Sequence, residues 1–276
     1  MKPKIQTVIL FFLTAVFAVS AFMLVRQMTS YRAGDEAYAK ASEIAAIPEV
    51  PETETVQQPT EQPQQETQTE PEPAPSADPY AQALEQMDLP ALQQVNSDVI
   101  GWIAIPGTEI SYPLVQGTDN DYYLTHTFKK LYSAYGAIFA DYRCAMDLSD
   151  ANTVIYGHNM KNGTMFHDLV RMLDTSYLSA HDTFTITSAN GIVYSYRIFS
   201  VYEVSVTTDY RTISLPEGAA RSQYFSTLAG YSTARAQSVS FSNDSKIVTF
   251  STCPNDSDPN YRIAVHAVLT GSEPLE

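Results

Sequence analysis

The chain opens with one long, uninterrupted apolar stretch. Lys2 and Lys4 precede residues 5–25, an uncharged and mostly apolar run. About 20 such residues cross the hydrocarbon core of a bilayer as a helix, and the preceding lysines favour a cytoplasmic N-terminus. We therefore expect residues 1–4 in the cytoplasm, a transmembrane signal anchor over residues 5–25, and the remaining chain outside the cell. The alternative is a cleaved signal peptide, for which "AVSA" at 18–21 is a small-residue cleavage sequence inside the apolar run.

The segment after the apolar run is polar and rich in Pro, Glu, Gln and Thr. Residues 35–88 contain 13 acidic residues against Lys40, so this segment carries most of the chain's formal net charge of −15. A sequence of this kind buries too little apolar surface to offset the entropy lost on ordering. We therefore expect residues 26–79 to form a disordered acidic stalk and residues 80–276 to form the folded domain.

The folded domain alternates short apolar segments with polar turns, which is typical of a mainly β protein. Strand patterns cover residues 99–117 (two strands around "PGTE"), 135–143, 152–158, 182–206 (a hairpin around "ANG"), 246–253 and 261–269. Helical patterns cover residues 80–98 (interrupted at Pro90), 165–182 and 218–238. Six to eight short strands with a few connecting helices predict a closed β-barrel.

Several function classes find no support in the sequence. It contains no basic tract of the kind that binds nucleic acid. It contains no HExxH, no CxxC pair and no close His/Cys cluster, so we expect no metal site. P-loop, GxGxxG and GxSxG sequences are also absent. We therefore expect an extracellular domain without a cofactor and without a nucleic-acid partner.

The two cysteines differ in their surroundings. Cys253 ends the apolar segment 246–253 and is followed by the polar loop "PNDSDPN", which places a thiol at the mouth of a strand. A nucleophilic cysteine needs a neighbouring cation or base to stabilise its thiolate. Cys144 follows "FADYR", where a structural role is expected. A disulfide between Cys144 and Cys253 is an alternative that an oxidising compartment allows.

Two histidines compete for the place beside the thiol. His158 ends the strand pattern 152–158 directly after Gly157, and a glycine there suggests close approach of the backbone at a site. His266 lies on the same face of its predicted strand as Arg262, because successive side chains of a strand alternate between faces. The spacing alone leaves both histidines open as the partner of the thiol.

Arg262 begins the strand that follows the cysteine loop. If the two last strands run antiparallel, the loop brings the guanidinium of Arg262 close to Cys253. A permanently charged fork of donors suits an oxyanion or a substrate carbonyl. The alternative is a structural ion pair between Arg262 and Asp256 or Asp258.

Several of these segments together resemble one known family. "TFSTC" at 249–253 resembles the TLxTC signature of sortases, the anchored cysteine transpeptidases of Gram-positive surfaces, and "NTVIYGHNMKNGTMF" resembles the histidine segment of the class B members. "YGAIFADYR", "QGTDNDYYL" and the late arginine complete the resemblance, which covers most of residues 95–270 in the expected order.

The resemblance implies an eight-stranded sortase-type β-barrel with several peripheral helices. It implies that Cys253 is the nucleophile, His158 the general acid, and Arg262 the group that stabilises the substrate and the oxyanion. It thereby favours His158 over His266, which becomes a same-face strand residue of secondary interest.

The resemblance also assigns residues to the substrate groove. Asn120 and Leu124 in "TDNDYYL" match positions that line the class B groove. Ser251 matches a residue whose hydroxyl contacts the substrate, and Thr252 belongs to the same signature with a structural role.

Two residues depart from the family pattern. Phe250 replaces the usual leucine, which is an apolar exchange within a strand. Pro254 follows the cysteine where some class B members carry a glutamate. Since proline has no backbone N–H, an oxyanion hole built on the amide after the cysteine is excluded, and Arg262 gains importance.

The function implied is cleavage of a C-terminal sorting signal through a cysteine thioacyl-enzyme, followed by transfer to an amine. The implied partners are surface proteins that carry the signal and an amine acceptor, such as a peptidoglycan precursor or a pilin lysine. Two other interpretations remain: a secreted cysteine peptidase, and an anchored β-domain that only binds a wall component.

Overall fold

The computed structural model describes residues 3–46, 87–234, 238–254 and 258–275. The helices are α1 (Pro3–Ile44), α2 (Leu89–Val95), α3 (His167–Arg171), α4 (Thr175–Ala180) and α5 (Ala219–Gly230). The strands are β1 (Val99–Ala104), β2 (Ser111–Gln116), β3 (Ile138–Ala140), β4 (Asn152–Tyr156), β5 (Thr183–Ser188), β6 (Ile192–Ser205), β7 (Ile247–Thr252) and β8 (Tyr261–Pro274). One 3₁₀ turn covers Tyr122–Leu124.

The eight strands close into a barrel in the order β1-β2-β3-β4-β7-β8-β6-β5. The pairs β2–β3 and β4–β7 are parallel, and the other six pairs are antiparallel. Closure removes the unpaired edges that would expose backbone hydrogen-bonding groups. The predicted closed, mainly β barrel of eight strands is therefore confirmed.

The register of three neighbouring strands brings distant parts of the sequence to one edge of the barrel. The last residue of β4, Tyr156, pairs with Ser251 of β7 in the parallel ladder. The two strands thus end side by side. In the antiparallel ladder, Thr252 at the end of β7 pairs with Ile263 near the start of β8. The residues that directly follow β4 and β7 therefore lie beside the first residues of β8.

The barrel interior is filled by aliphatic and aromatic side chains from all of the strands. Phe250 is fully buried there and packs its ring against Phe166 and Phe184, with ring centroids 5.4 and 5.1 Å away. Aromatic pairs at such distances add to the free energy gained by burial. The phenylalanine that replaces a leucine in the signature thus occupies the core directly below the end of β7.

Helix α1 has two halves with different surroundings. Its first half is apolar and exposed, and α1 is long and apolar enough to cross a membrane, with a mean hydropathy of 2.3 over an 18-residue window. Its second half packs against the barrel through small residues on one face, of which Ala37, Ala41 and Ala45 are at most 2 % exposed. The prediction of a disordered stalk from residue 26 is therefore wrong up to Ile44. The rest of that predicted stalk, residues 47–79, lies outside the described residues.

Local polar contacts explain where other elements differ from their predicted bounds. The helix predicted over residues 165–182 is divided into α3 and α4, because the Asp174 carboxylate accepts a hydrogen bond from the Tyr177 amide and begins a new helix. The strand predicted over residues 135–143 is only three residues long, since Asp141 accepts from the Arg143 amide and turns the chain. Pro90 lies in the first turn of α2, where its missing amide hydrogen removes no helical hydrogen bond. Residues 80–86 of the predicted helical region lie outside the described residues.

Candidate active site

One cavity of about 220 Å³ opens where β4, β7 and β8 meet. It is lined by all seven residues that the sequence analysis assigned to a site: Asn120, Leu124, His158, Ser251, Thr252, Cys253 and Arg262. Four further residues line it that the sequence analysis did not single out as site residues: Phe139, Tyr156, Gly157 and Arg211. Groups separated by more than 140 positions in sequence are thus brought to one depression at the edge of the barrel.

Cys253 follows β7 directly and its side chain is half-buried. Its backbone carbonyl accepts a hydrogen bond from Asn159 Nδ2 at 3.1 Å. The other end of that amide, Oδ1, accepts from His167 Nδ1 at 2.9 Å. Asn159 therefore ties the segment after β4 to the cysteine backbone, a role that no pattern in the sequence indicated. Pro254 is buried and offers no amide hydrogen at the next position.

His158 stands two residues beyond β4 with its ring held by a main-chain group. Its Nε2 lies 2.7 Å from the carbonyl oxygen of Leu124. A carbonyl oxygen only accepts hydrogen bonds, so Nε2 carries the hydrogen and Nδ1 remains available for proton transfer. The backbone is fixed as well, since the His158 carbonyl accepts from the Phe166 amide at 2.8 Å.

Gly157 is closely packed beneath His158. A Cβ atom at this position would stand 2.5 Å from Ile138 Cδ1 and 2.7 Å from Phe166 Cδ2. Both distances are far below van der Waals contact. The close backbone approach that the glycine before His158 suggested is therefore present.

Arg262 is half-buried at the start of β8 and lines the same cavity. Its Nη1 donates to the carbonyl oxygens of Pro259 at 3.1 Å and Tyr261 at 2.6 Å. These bonds fix the guanidinium against its own loop. Of the two acids considered as ion-pair partners, Asp256 lies outside the described residues. Asp258 accepts from the backbone amide and the side chain of Asn260, at 2.8 and 3.0 Å.

The polar groups in the cavity walls differ in whether they have hydrogen-bond partners. The Ser251 hydroxyl shares a hydrogen bond of 2.9 Å with the Tyr210 hydroxyl. Thr252 Oγ1 is buried and has no hydrogen-bond partner among the described residues. Asn120 is fixed at both ends, since its Nδ2 donates to Asp141 and its Oδ1 accepts from the Tyr142 amide. Leu124 remains 38 % exposed and supplies an apolar wall.

Asp141 lies beneath one side of the cavity and holds two of its lining residues by hydrogen bonds. Its carboxylate is fully buried and receives hydrogen bonds from Arg143, Tyr156 and Asn120. Burial alone would raise the pKa of Asp141, but these donors outweigh it and lower the pKa to about 2. The carboxylate is therefore ionised throughout the neutral range and fixes Asn120 and Tyr156, which both line the cavity.

A second, larger cavity of about 620 Å³ shares Asn120, Tyr156 and Arg211 with the first. Its remaining lining is polar and includes Arg143, Asp209 and the hydroxyl-bearing residues Thr208, Thr212 and Ser214, together with Ile213. The Cys253 cavity therefore continues into a second, mostly polar groove through these three shared residues.

The rival histidine lies elsewhere. His266 is fully buried, with Nε2 2.9 Å from the Tyr202 hydroxyl and Nδ1 2.8 Å from the Thr249 hydroxyl. Burial lowers the pKa of His266 to about 3. It does not line the Cys253 cavity.

Cys144 also lies outside the Cys253 cavity. Both cysteines are free, so the alternative of a Cys144–Cys253 disulfide is wrong. Cys144 is buried, and burial raises the pKa of its thiol to about 12. A thiol of that pKa is almost entirely protonated at neutral pH and is a poor nucleophile.

Three comparisons with known proteins agree with this geometry. The family model described as "Sortase domain" matches residues 103–270. Sortase B of Listeria monocytogenes is 41% identical over 172 residues, which cover 62% of this chain and 69% of that protein. A Bacillus anthracis structure described as similar to sortase B is 34% identical with a TM-score of 0.60, covering 66% of this chain and 81% of the other.

A structure of the Staphylococcus aureus sortase B–substrate complex is also similar, with 28% identity and a TM-score of 0.62 over 68% of this chain and 85% of that one. The family match spans more than half of the chain, and the curated relative is covered over two thirds of its length. The chain therefore belongs to the sortase family, with class B members as its relatives, and is a cysteine transpeptidase that acts on sorting signals and amine acceptors.

Proposed function

We propose that Cys253 is the nucleophile of the transpeptidation, His158 the acid and base, and Arg262 the group that stabilises the oxyanion. The single observation that carries this assignment is the shared cavity at the ends of β4 and β7 and the start of β8. The alternatives to these residues are remote from it: His266 is enclosed in the barrel wall and Cys144 is a buried thiol of raised pKa.

In the first half-reaction, the Cys253 thiolate attacks the carbonyl carbon of the scissile peptide bond. A carbon–sulfur bond forms, and negative charge develops on the carbonyl oxygen. Arg262 donates hydrogen bonds to that oxygen, and its role is large because Pro254 offers no amide hydrogen. The carbon–nitrogen bond then breaks, and His158 as imidazolium gives its proton to the leaving amine. The product is a thioacyl-enzyme on Cys253.

In the second half-reaction, an acceptor amine attacks the thioacyl carbon. His158, now neutral, takes the proton from the attacking nitrogen. The carbon–sulfur bond breaks, which releases an amide product and the Cys253 thiolate. Because Nε2 of His158 donates to the Leu124 carbonyl, we assign both proton transfers to Nδ1.

The groove that continues from the Cys253 cavity holds the sorting signal in this proposal. Asn120 and Leu124 form one wall, and Ser251 and Thr252 form the floor beside the nucleophile. Thr252 Oγ1 is buried and has no hydrogen-bond partner among the described residues, and Thr252 keeps the structural role that the resemblance implies. The related S. aureus structure is a substrate complex, which supports a peptide groove in this fold.

Residues 5–25 are proposed to anchor the chain in the cytoplasmic membrane, with residues 1–4 inside and the catalytic domain, residues 80–276, outside. The exposed apolar half of α1 supports the membrane anchor, and Lys2 and Lys4 favour this orientation. The substrates are then surface proteins that carry a sorting signal, and the acceptor is a cell-wall peptide amine or a pilin lysine. Tethering enzyme and substrate to one membrane raises their effective concentration.

The test uses the full chain in detergent micelles with a pool of sorting-type peptides, with and without triglycine as amine. We expect the ligated amide to form when triglycine is present. His158→Ala and Arg262→Ala should each lower kcat by about a hundredfold or more. The matched control is His181→Ala, which changes a half-buried histidine that bonds to the Pro106 carbonyl and does not line the cavity.

Three results would contradict the proposal. Release of the acyl group only to water, whatever amine is supplied, would indicate a peptidase. Unchanged kcat in Arg262→Ala or His158→Ala would remove that residue from the mechanism. A folded chain whose Cys253 forms no adduct with any peptide would favour a domain that only binds.

A further inference from the structure

The half of α1 that leaves the proposed membrane segment makes specific polar contacts with one stretch of the barrel, residues 133–136. The Ser30 hydroxyl accepts from the Ala134 amide at 2.7 Å, and the Ser133 hydroxyl donates to the Ser30 carbonyl at 2.9 Å. The Tyr38 hydroxyl donates to the Gly136 carbonyl. Helix and barrel are thus joined by directional bonds in addition to apolar packing.

The packing at this junction is very close. The ring of Tyr135 lies directly against Gly34 of α1, where a Cβ atom would stand only 1.7 Å from Tyr135 Cδ2. The ring of Tyr31 stacks on the same tyrosine with centroids 5.5 Å apart. Tyr135 is 2 % exposed. Its hydroxyl therefore has little freedom to change partners.

That hydroxyl connects α1 to the segment that follows His158. It donates to Asp35 Oδ1 at 2.7 Å and accepts from Asn162 Nδ2 at 2.6 Å. Burial and the neighbouring Asp35 raise the pKa of Tyr135 to about 12, so the phenol keeps its proton and remains a donor. Asn162 lies in the turn between His158 and Met165, which a bridge between Asn159 and Met165 closes.

The same junction also lies close to the main-chain group that holds the ring of His158. Gly136, which accepts from Tyr38, has φ of +58°, and a Cβ atom there would stand 2.6 and 2.8 Å from the carbonyl oxygens of Tyr123 and Leu124. The Leu124 carbonyl is the acceptor of His158 Nε2. The ring acceptor of His158 therefore lies close against Gly136, and the turn that follows His158 is bonded to Tyr135. Helix α1 contacts both of these residues.

We propose that the docked half of α1 is a positioning element for catalysis: Asp35 and Tyr38, acting through Tyr135 and Gly136, set the orientation of the His158 imidazole. This inference rests on the proposed role of His158. It means that the helix leaving the membrane is part of the active-site support, so that transfer activity depends on how α1 sits on the barrel. Misplacement of a catalytic group by a fraction of an ångström to an ångström lowers rates severely.

The test uses the full chain in detergent micelles and two readouts. The first is kcat and KM for transfer of the fastest-reacting sorting-type peptide to triglycine. The second is the pH dependence of Cys253 alkylation by iodoacetamide, which reports the ionisation of the site without any peptide. The variants are Tyr135→Phe, Asp35→Ala and the conservative Asp35→Asn, which keeps an acceptor oxygen. The matched control is Glu43→Ala, an exposed residue of α1 whose side chain pairs only with Lys40 among the described residues.

We expect Tyr135→Phe and Asp35→Ala to lower kcat about tenfold with KM within twofold. The alkylation midpoint should shift by about half a pH unit, the scale of one lost hydrogen bond. Asp35→Asn should retain most of the activity, Glu43→Ala should match the parent chain, and all variants should keep the thermal unfolding midpoint within a few degrees.

The inference is overturned if Tyr135→Phe leaves both kcat and the alkylation midpoint unchanged while His158→Ala is inactive. It is also overturned if every variant loses activity in proportion to its loss of thermal stability, since that is the pattern of a purely structural contact. Full activity in His158→Ala would instead refute the proposed function of His158, and this inference with it.

Discussion

Acid pH should destabilise this barrel through one buried histidine. His266 lies in the β8 wall with no exposed surface, and burial lowers its pKa from 6.5 to about 3. The Thr249 hydroxyl donates to Asn152 Oδ1 at 2.7 Å and is therefore the acceptor for His266 Nδ1–H, while the Tyr202 hydroxyl donates to Nε2. This network is complete only with a neutral imidazole, because a second ring proton would face the hydrogen of Tyr202.

The sign and size of the effect follow from proton linkage. Below pH 6.5 the unfolded chain takes up a proton on His266, whereas the folded chain does so only near pH 3. The free energy of unfolding therefore decreases as the pH falls through this window. The loss is about 2 kcal/mol at pH 5 and about 3 kcal/mol at pH 4. Above about pH 7.5 this residue contributes almost no pH dependence.

The assay is urea unfolding of the full chain in detergent micelles between pH 4 and 7.5. Trp102 is the only tryptophan and is 1 % exposed, so its fluorescence reports the barrel. A loss of 2 kcal/mol moves the midpoint by about 1 M urea. His266→Gln keeps an acceptor and a donor but cannot titrate. The change in its urea midpoint between pH 5 and pH 7 should therefore be about 1 M smaller than that of the parent chain. Equal pH dependence in the two proteins would refute the reasoning.

Three further perturbations test other parts of the structure. Gly157→Ala forces a Cβ atom to 2.5 Å from Ile138 Cδ1, so we expect about 1–3 kcal/mol of destabilisation in urea and a fall in kcat, with wild-type values contradicting the packing. Cys144→Ala should leave the iodoacetamide-labelled fraction at neutral pH unchanged; a lost label would show that Cys144 reacts. Asp141→Asn should cost about 1–3 kcal/mol at neutral pH and less as the pH falls toward 2, since the folded-state pKa of Asp141 is depressed; a constant difference would contradict this.

The strands and their order along the chain could be predicted because each is a short apolar segment between turn residues. The pattern of short strands also predicted a closed barrel, and the local surroundings of Cys253, His158 and Arg262 made them candidates. The count of eight strands, the roles of these three residues and the groove residues followed from the resemblance to a known family. From spacing alone, His158 and His266 both remained open as partners of the thiol. Their difference depends on the parallel pairing of β4 with β7, which no local pattern reveals.

The docked half of α1 could not be predicted for a related reason. Residues 26–46 are rich in charged and small residues, which indicates a solvated tether when the segment is considered alone. The helix is stabilised by what it packs against: Tyr135 against Gly34, and the apolar surface against Ala37 and Ala41. Asn159 was missed for the same reason, because its role is a hydrogen bond to Cys253, a residue 94 positions away.

The central claim is that Cys253 carries the acyl group. The most direct measurement is peptide mapping by mass spectrometry of the full chain, quenched during turnover with a reactive sorting-type peptide and no added amine. The account predicts one thioacyl adduct, on the tryptic peptide that contains Cys253, present in Cys144→Ala and absent in Cys253→Ala. An adduct on any other residue, or amide transfer that persists in Cys253→Ala, would contradict it.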